Sequence, residues 1–325
     1  MIEKYGTQMD EQEFADFKKI YDERVKQADQ YVQSRKEFTD AGIQSYADFL
    51  KIDLDNKEQD ALFTKVMFKD KVDLFWELTE RGRLIEFYET REKSLDGYLN
   101  KASSQQKERF LALKEAEHYP VYPEVAIENF KSYISRVAIA VILSVVLVIS
   151  PVFLKDRSNR VLELQYATKK GRNVYKTKAA AGMISAFIVM TTLLLIYFGL
   201  YSLNRTSMFF KVPLHMFIEN YSWYDPTFFQ YMILSAVGVY ILGFVFALLA
   251  MSFSSIMPNF VSLIAIQIPF FIAMIAYGLS YLIVRIISIW VPKWVVPTSY
   301  FAMGAISVLF LILMWKREEK RDIVI

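Results

Sequence analysis

Chemistry has few places to reside in this chain of 325 residues. It contains no cysteine, so disulfides, thiolate metal sites and thiol nucleophiles are excluded. Its two histidines, His118 and His215, are isolated, with no second histidine at metal-ligand spacing. No Ser/His/Asp or Cys/His set is available and little titrates near neutral pH, which points away from an enzyme. No Gly-x-x-x-x-Gly-Lys-Ser/Thr phosphate loop occurs either. What remains is one dense cluster, the stretch from Lys155 to Lys178, with eight basic residues against two acidic ones. There Val161, Leu162, Leu164, Tyr166 and Ala167 are mixed with basic residues, as in a short amphipathic helix broken at Gly171. The chemistry on offer is docking: Arg172 supplies a fixed charge-assisted hydrogen bond, and Gly171 a turn with unrestricted backbone angles. Such a helix can lie on anionic lipid or receive a partner protein.

The elements that hold this cluster are set by a polarity step near Arg136. Beyond it, charge-free stretches run for 18 residues from Val137 to Leu154, 26 from Ala179 to Asn204, 59 from Pro226 to Val284 and 22 from Trp294 to Trp315. A bilayer core needs about 20 apolar helical residues, so the longest stretch holds two crossings, divided at Ser254–Asn259. Five membrane helices are expected, at about 137–154, 179–203, 226–254, 259–284 and 294–315. The fold class is all-α: a polytopic membrane domain over 134–325, with the cluster in loop 155–178, behind a helical domain over 1–133. The overall mean hydropathy of +0.22 and net charge of +3 hide this division. Residues 1–133 carry 21 Lys+Arg against 28 Asp+Glu, and residues 134–325 carry 17 against 7.

In the first domain, Thr7 with Asp10 suggests a capping box. Phe14, Phe17, Tyr21, Val25, Ala28 and Val32 form the apolar stripe of the helix that follows, and Gly42 is placed at its end. Ser45 with Asp48 starts a short turn, and further helical stretches run over about 57–99 and 104–117. A last helix from Glu124 is expected to continue into the membrane as a stalk. The segment from Thr206 to Asp225, rich in aromatics, reads as an amphipathic piece at the membrane interface. Lys/Arg bias in short loops sets orientation. Loop 155–178 and the C-terminal tail hold twelve basic residues against four in the intervening loops, which puts loop and C-terminus in the cytoplasm and residues 1–133 outside. The expected location is the cell membrane, as a multi-pass protein. The first residues show no signal peptide, so an upstream membrane helix is expected to precede Met1.

The expected helix cores contain no Asp, Glu, Lys, Arg or His, which argues against a proton- or sodium-driven carrier. If the protein moves something, another subunit supplies the energy. Ala236, Gly243, Ala247, Ala250 and Ser254 form a small-residue stripe, suited to close helix packing within the chain or between subunits. Pro151, Pro269 and Pro297 mark kinks or helix ends.

At the basic loop, Glu163, four residues, then Thr168-Lys169-Lys170-Gly171-Arg172, with Lys178 opening the next apolar helix, resembles the cytoplasmic loop of ABC-2-type transporter permeases. The resemblance extends by topology and loop order over about residues 124–325. It implies a permease subunit of an ATP-driven exporter, moving an amphipathic or hydrophobic substrate such as an antimicrobial peptide, a lipid-linked molecule or a drug. Glu163, Thr168, Gly171 and Arg172 would then belong to a coupling helix docked on a separate cytoplasmic ATPase, which would hold ATP and Mg; this chain itself would need no cofactor. A second permease subunit, identical or different, and membrane lipid are the other implied partners, and nucleic acid is not. The family pattern has six helices and, in a Gram-positive branch, a large outer helical insertion between the first and second; the first helix is missing here. A different reading of the same sequence is a non-transporting sensor or immunity protein whose outer helices bind a peptide.

Overall fold

The computed structural model describes residues 2–7, 9–70, 72–117, 119–159 and 174–320. The described residues are helical with no strand, only isolated β-bridges. Their contacts divide the chain into two units, Met1–Glu124 with His215–Glu219, and Val125–Leu214 with Asn220–Ile325.

The first unit contains α1 (Ile2–Tyr5), α2 (Glu11–Gln33), α3 (Lys36–Asp40), α4 (Tyr46–Phe49), α5 (Lys57–Thr64), α6 (Asp73–Lys101) and α7 (Ser104–Glu115). Helix α2 starts later than the Thr7–Asp10 spacing suggests. Asp10 is itself the cap, accepting from Glu13 N at 2.7 Å while the Glu13 carboxylate accepts from Asp10 N at 3.1 Å. Thr7 instead lies in the turn after Gly6, whose φ of 69° ends α1. Gly42, at φ 76°, follows α3 rather than α2, which stops at Gln33 where the Ser34 hydroxyl turns back to Tyr31 O. Ser45 caps α4 by accepting from Asp48 N.

The core of this unit is aromatic. Phe75 on α6 is fully buried and meets Phe49, Tyr31 and Tyr46 at ring separations of 4.7, 5.4 and 5.7 Å, edge-on contacts of the kind aromatic pairs prefer. Between α5 and α6 the backbone widens to a π-turn at Lys65–Lys69, and Trp76 Nε1 donates to Met67 O at 2.8 Å. Residues 216–218 add to the same unit: Val121 N and Tyr122 N donate to Met216 O, and Ile218 N to Tyr122 O. The Tyr122 hydroxyl donates to Gly6 O, and burial pushes its pKa up to about 12, which keeps it a donor.

The second unit contains α8 (Val125–Ile149), α9 (Pro151–Ser158), α10 (Val174–Tyr201), α11 (Phe228–Ile256), α12 (Phe260–Ala273) and α13 (Val295–Glu319). Among the described residues five spans are long and apolar enough to cross a membrane: Val125–Asp156, Val174–Asn204, Phe228–Ile256, Phe260–Gly278 and Val295–Glu319. Helix α8 runs without a break through Arg136. Helix α11 is central, with its N-cap Thr227 and Gln230 closing a capping box, and packs against α8, α10 and α13. Asn259 caps α12, which contains Pro269 and passes into π-turns at Met274–Gly278 and Ser280–Val284.

The segment from Thr206 to Asp225, read as an amphipathic interfacial piece, contains no α-helix. It forms short 3-10 turns around Pro213, with positive φ at Arg205 and Glu219, and Val212, Leu214, Phe217, Tyr221 and Trp223 are buried. Phe210, Leu214, Phe217, Tyr221 and Tyr224 do recur at helical spacing, but Pro213 cannot donate to a helix ladder.

Candidate functional site

Glu163, Thr168, Gly171 and Arg172 lie outside the described residues, as does His118. The described part of the site is therefore the pair of stems that carries the loop, α9 on one side and the start of α10 on the other.

The first stem begins with a broken rung. Pro151 has no N–H, and α8 stops at Ile149. In a continuous helix Leu154 N would donate to Ser150 O. Here the Ser254 hydroxyl of α11 stands between them: it donates to Ser150 O at 2.6 Å and accepts from Leu154 N at 3.0 Å and Phe153 N at 3.2 Å. A side chain inserted in the ladder is a recognised cause of a helix break, and here it satisfies three backbone groups that lipid could not. Ser254 is completely buried. The Gln267 amide of α12 lies 3.0 Å from Ser150 Oγ, so the same residue is held from two helices.

The second stem is tied to the first. The Tyr175 ring stacks on Phe153 with centroids 4.4 Å apart, and Lys178 forms an ion pair with Asp156. The described part of the second stem's helix runs from Val174, and Lys178 lies within it. Lys176 Nζ lies 4.0 Å from the Trp315 ring centre on α13. Beneath, Leu154, Phe253 and Leu263 form a buried cluster with Phe310 packed against it. All five spans thus meet at this end of the unit.

The small-residue stripe on α11 continues from this clamp. Gly243, Ala247, Ala250 and Ser254 are buried within the chain, and Ala236 is half-buried. A Cβ at Gly243 would come 2.1 Å from Met190 Sδ of α10, and one at Gly182 would come 2.7 Å from Met251 Sδ. The methionine side chains of each helix thus occupy the space that the glycines of the other leave open, so a Cβ at either glycine would make a flexible thioether move. The α10 half of that contact is missing from the stripe read on α11; its signal is Gly182, Ala186 and Met190 at spacings of four. Ser150 has one local signal in the sequence, the Pro151 that follows it, and Asp156 has none.

Among the described residues no three His, Cys, Asp or Glu side chains come together as metal ligands. The described part of the site offers packing, hydroxyl bridges and the Asp156–Lys178 ion pair. Fold and site define a polytopic helical membrane protein. The chain belongs to the ABC-2 transporter family: the model of that family, described as ABC-2 family transporter protein, matches residues 11–317. It is thus the membrane subunit of an ABC transporter, a transport part and not itself a catalyst. No curated protein and no solved structure matches the chain.

Proposed function

We propose that the chain is the permease subunit of an ATP-driven exporter of an amphipathic or hydrophobic substrate, such as an antimicrobial peptide, a lipid-linked molecule or a drug. A separate ATPase, holding ATP and Mg, docks on the Leu162 to Arg172 segment, and a second permease subunit completes the path. The observation that carries this reading is the Ser254 bridge. A push on the loop enters α9 and α10, which the Phe153–Tyr175 stack and the Asp156–Lys178 pair join. From α9 it passes through Ser254 into α11, the helix that touches most of the others. Loop and C-terminus are cytoplasmic in this reading, supported by twelve basic residues against four.

Replacing Arg172 by Glu should weaken co-purification of the ATPase and uncouple ATP hydrolysis from export, with membrane insertion intact. Export that continues without ATP, from an assembly holding no ATPase, sinks the reading. Orientation has its own test, because the chain has no cysteine. On intact cells an impermeant thiol reagent should label Ser104→Cys and leave Asn159→Cys untouched; the reverse pattern inverts the topology.

A further inference from the structure

A pocket of about 280 Å³ lies in the second unit, at the opposite end of α11 from Ser254, between α11, the turn at 286–293 and the first turns of α13. Its wall is apolar: Leu234, Val237 and Ile241 on one side face Val291 and Val296 on the other. Two of the aromatic polar groups around it, those of Trp223 and Tyr300, are already satisfied by backbone. Trp223 Nε1 donates to Val291 O at 2.7 Å, and the Tyr300 hydroxyl to Leu282 O at 2.6 Å. At the mouth stands Lys293, the one charged residue of the lining, its ammonium 4.9 Å from the Trp223 ring centre. Among the described residues no carboxylate lies within ion-pair distance of it. Lys293 directly precedes Trp294, the N-cap of the 25-residue α13, whose dipole adds positive potential at the same point. Tyr224, Trp290 and Trp294 are exposed around the mouth, as in the aromatic belt at the headgroup level of a bilayer.

The pocket is half open, and an apolar wall with no atoms against it forfeits dispersion contacts. Water gains little there, because it needs two to four polar partners. The volume is at the lower edge of small-molecule pockets, roughly 300–1,000 Å³, which suits one alkyl chain and excludes a folded peptide. We propose that the pocket holds one acyl chain of a resident anionic phospholipid, with its phosphate at Lys293. This site does not depend on the export reading, since it needs neither ATP nor a second subunit.

The test uses the full chain in phosphatidylcholine nanodiscs with a trace of phosphatidylglycerol carrying a photoreactive group at the end of one acyl chain. Labelling should concentrate on the peptides containing Leu234–Ile241 and Val291–Val296. Unlabelled phosphatidylglycerol should compete better than phosphatidylcholine, and this arm requires no variant. Lys293→Glu should reduce that preference at least about fivefold, the effect of one surface charge. Val237→Trp, at a half-exposed position on the pocket wall, should remove the label from these peptides. Labelling spread over all lipid-facing helices, or equal competition by the two lipids, overturns the proposal.

Discussion

Phe75 and Gly243 are both buried on the main helices of their units, and they are buried for opposite reasons. In the first unit the surroundings are polar side chains, capped helix ends and surface ion pairs such as Lys18–Glu89 and Lys65–Glu37. A large ring at Phe75 is stabilising there because it leaves water. In the second unit the outside is as apolar as the inside: Val261 and Phe301 are 78% and 79% exposed. Burying area against lipid gains little, so close approach and satisfied backbone groups decide the packing. Gly243 provides the approach and Ser254 the satisfaction. A large apolar side chain thus marks the interior of one unit and says nothing of the interior of the other, where small residues and hydroxyls mark it.

The largest expected effect follows from the first half of this contrast. Phe75→Ala should cost about 3–5 kcal/mol, the usual price of emptying a ring-sized core site. Hydrogen exchange on the purified full chain should show it as lost protection in α2, α4 and α6, with α11 keeping its own. Equal loss in both units would break the contrast. A smaller effect belongs to the second half. Ser254→Ala leaves Ser150 O, Phe153 N and Leu154 N without their partner and should cost about 1–3 kcal/mol, with membrane measurements nearer the low end. Exchange should rise at Phe153 and Leu154. Phe301→Ala removes far more apolar surface, yet should stay within about 0.5 kcal/mol because its ring faces outward. A Phe301 cost above that of Ser254 would mean that apolar area governs this unit after all.

The same contrast explains what the sequence discloses. The five spans are legible because each carries a charge-free run that only a membrane or a deep core tolerates. Ser45 is legible as a cap because its partner Asp48 is three residues away. Thr7 misleads because the Asp10–Glu13 pair has the same spacing and wins the helix start. Ser254 is legible as a small residue, but its bridge is not. Its partners at Ser150 to Leu154 are about a hundred positions away, and only the fold brings them together. The Gly182 and Gly243 contacts with Met251 and Met190 are half legible: the spacing of small residues shows a face, and only the structure shows what fills the space opposite. Glu163, Thr168, Gly171 and Arg172 still rest on their resemblance to a coupling loop, now with stems whose anchoring is defined.

The smallest effect is electrostatic and belongs to the first unit. Glu37 accepts from Lys65 Nζ at 2.7 Å, and Arg35 lies 3.6 Å away. The Lys65 hydrogen bond holds the Glu37 carboxyl below the usual carboxylate range, against a smaller opposing push from burial. A carboxylate with a depressed folded value stabilises the protein above the unfolded value of about 4.3, and that stabilisation is lost as pH falls through the folded value. The two side chains are each more than a third exposed, so solvent screening keeps the contribution below about 1 kcal/mol. Protection around the first-unit core should therefore hold steady from neutral pH down to about 5 and weaken below it. Glu37→Gln should lower the neutral-pH stability slightly and flatten part of that fall. The Gly243–Met190 contact contains no titratable group, and exchange at the amides around Gly243 should not follow the Glu37 profile. If Glu37→Gln leaves the acid limb of the first unit unchanged, the pair is only a surface contact, and acid sensitivity has to come from other carboxylates of that unit such as Asp16, which Lys4 and Tyr5 hold low in the same way.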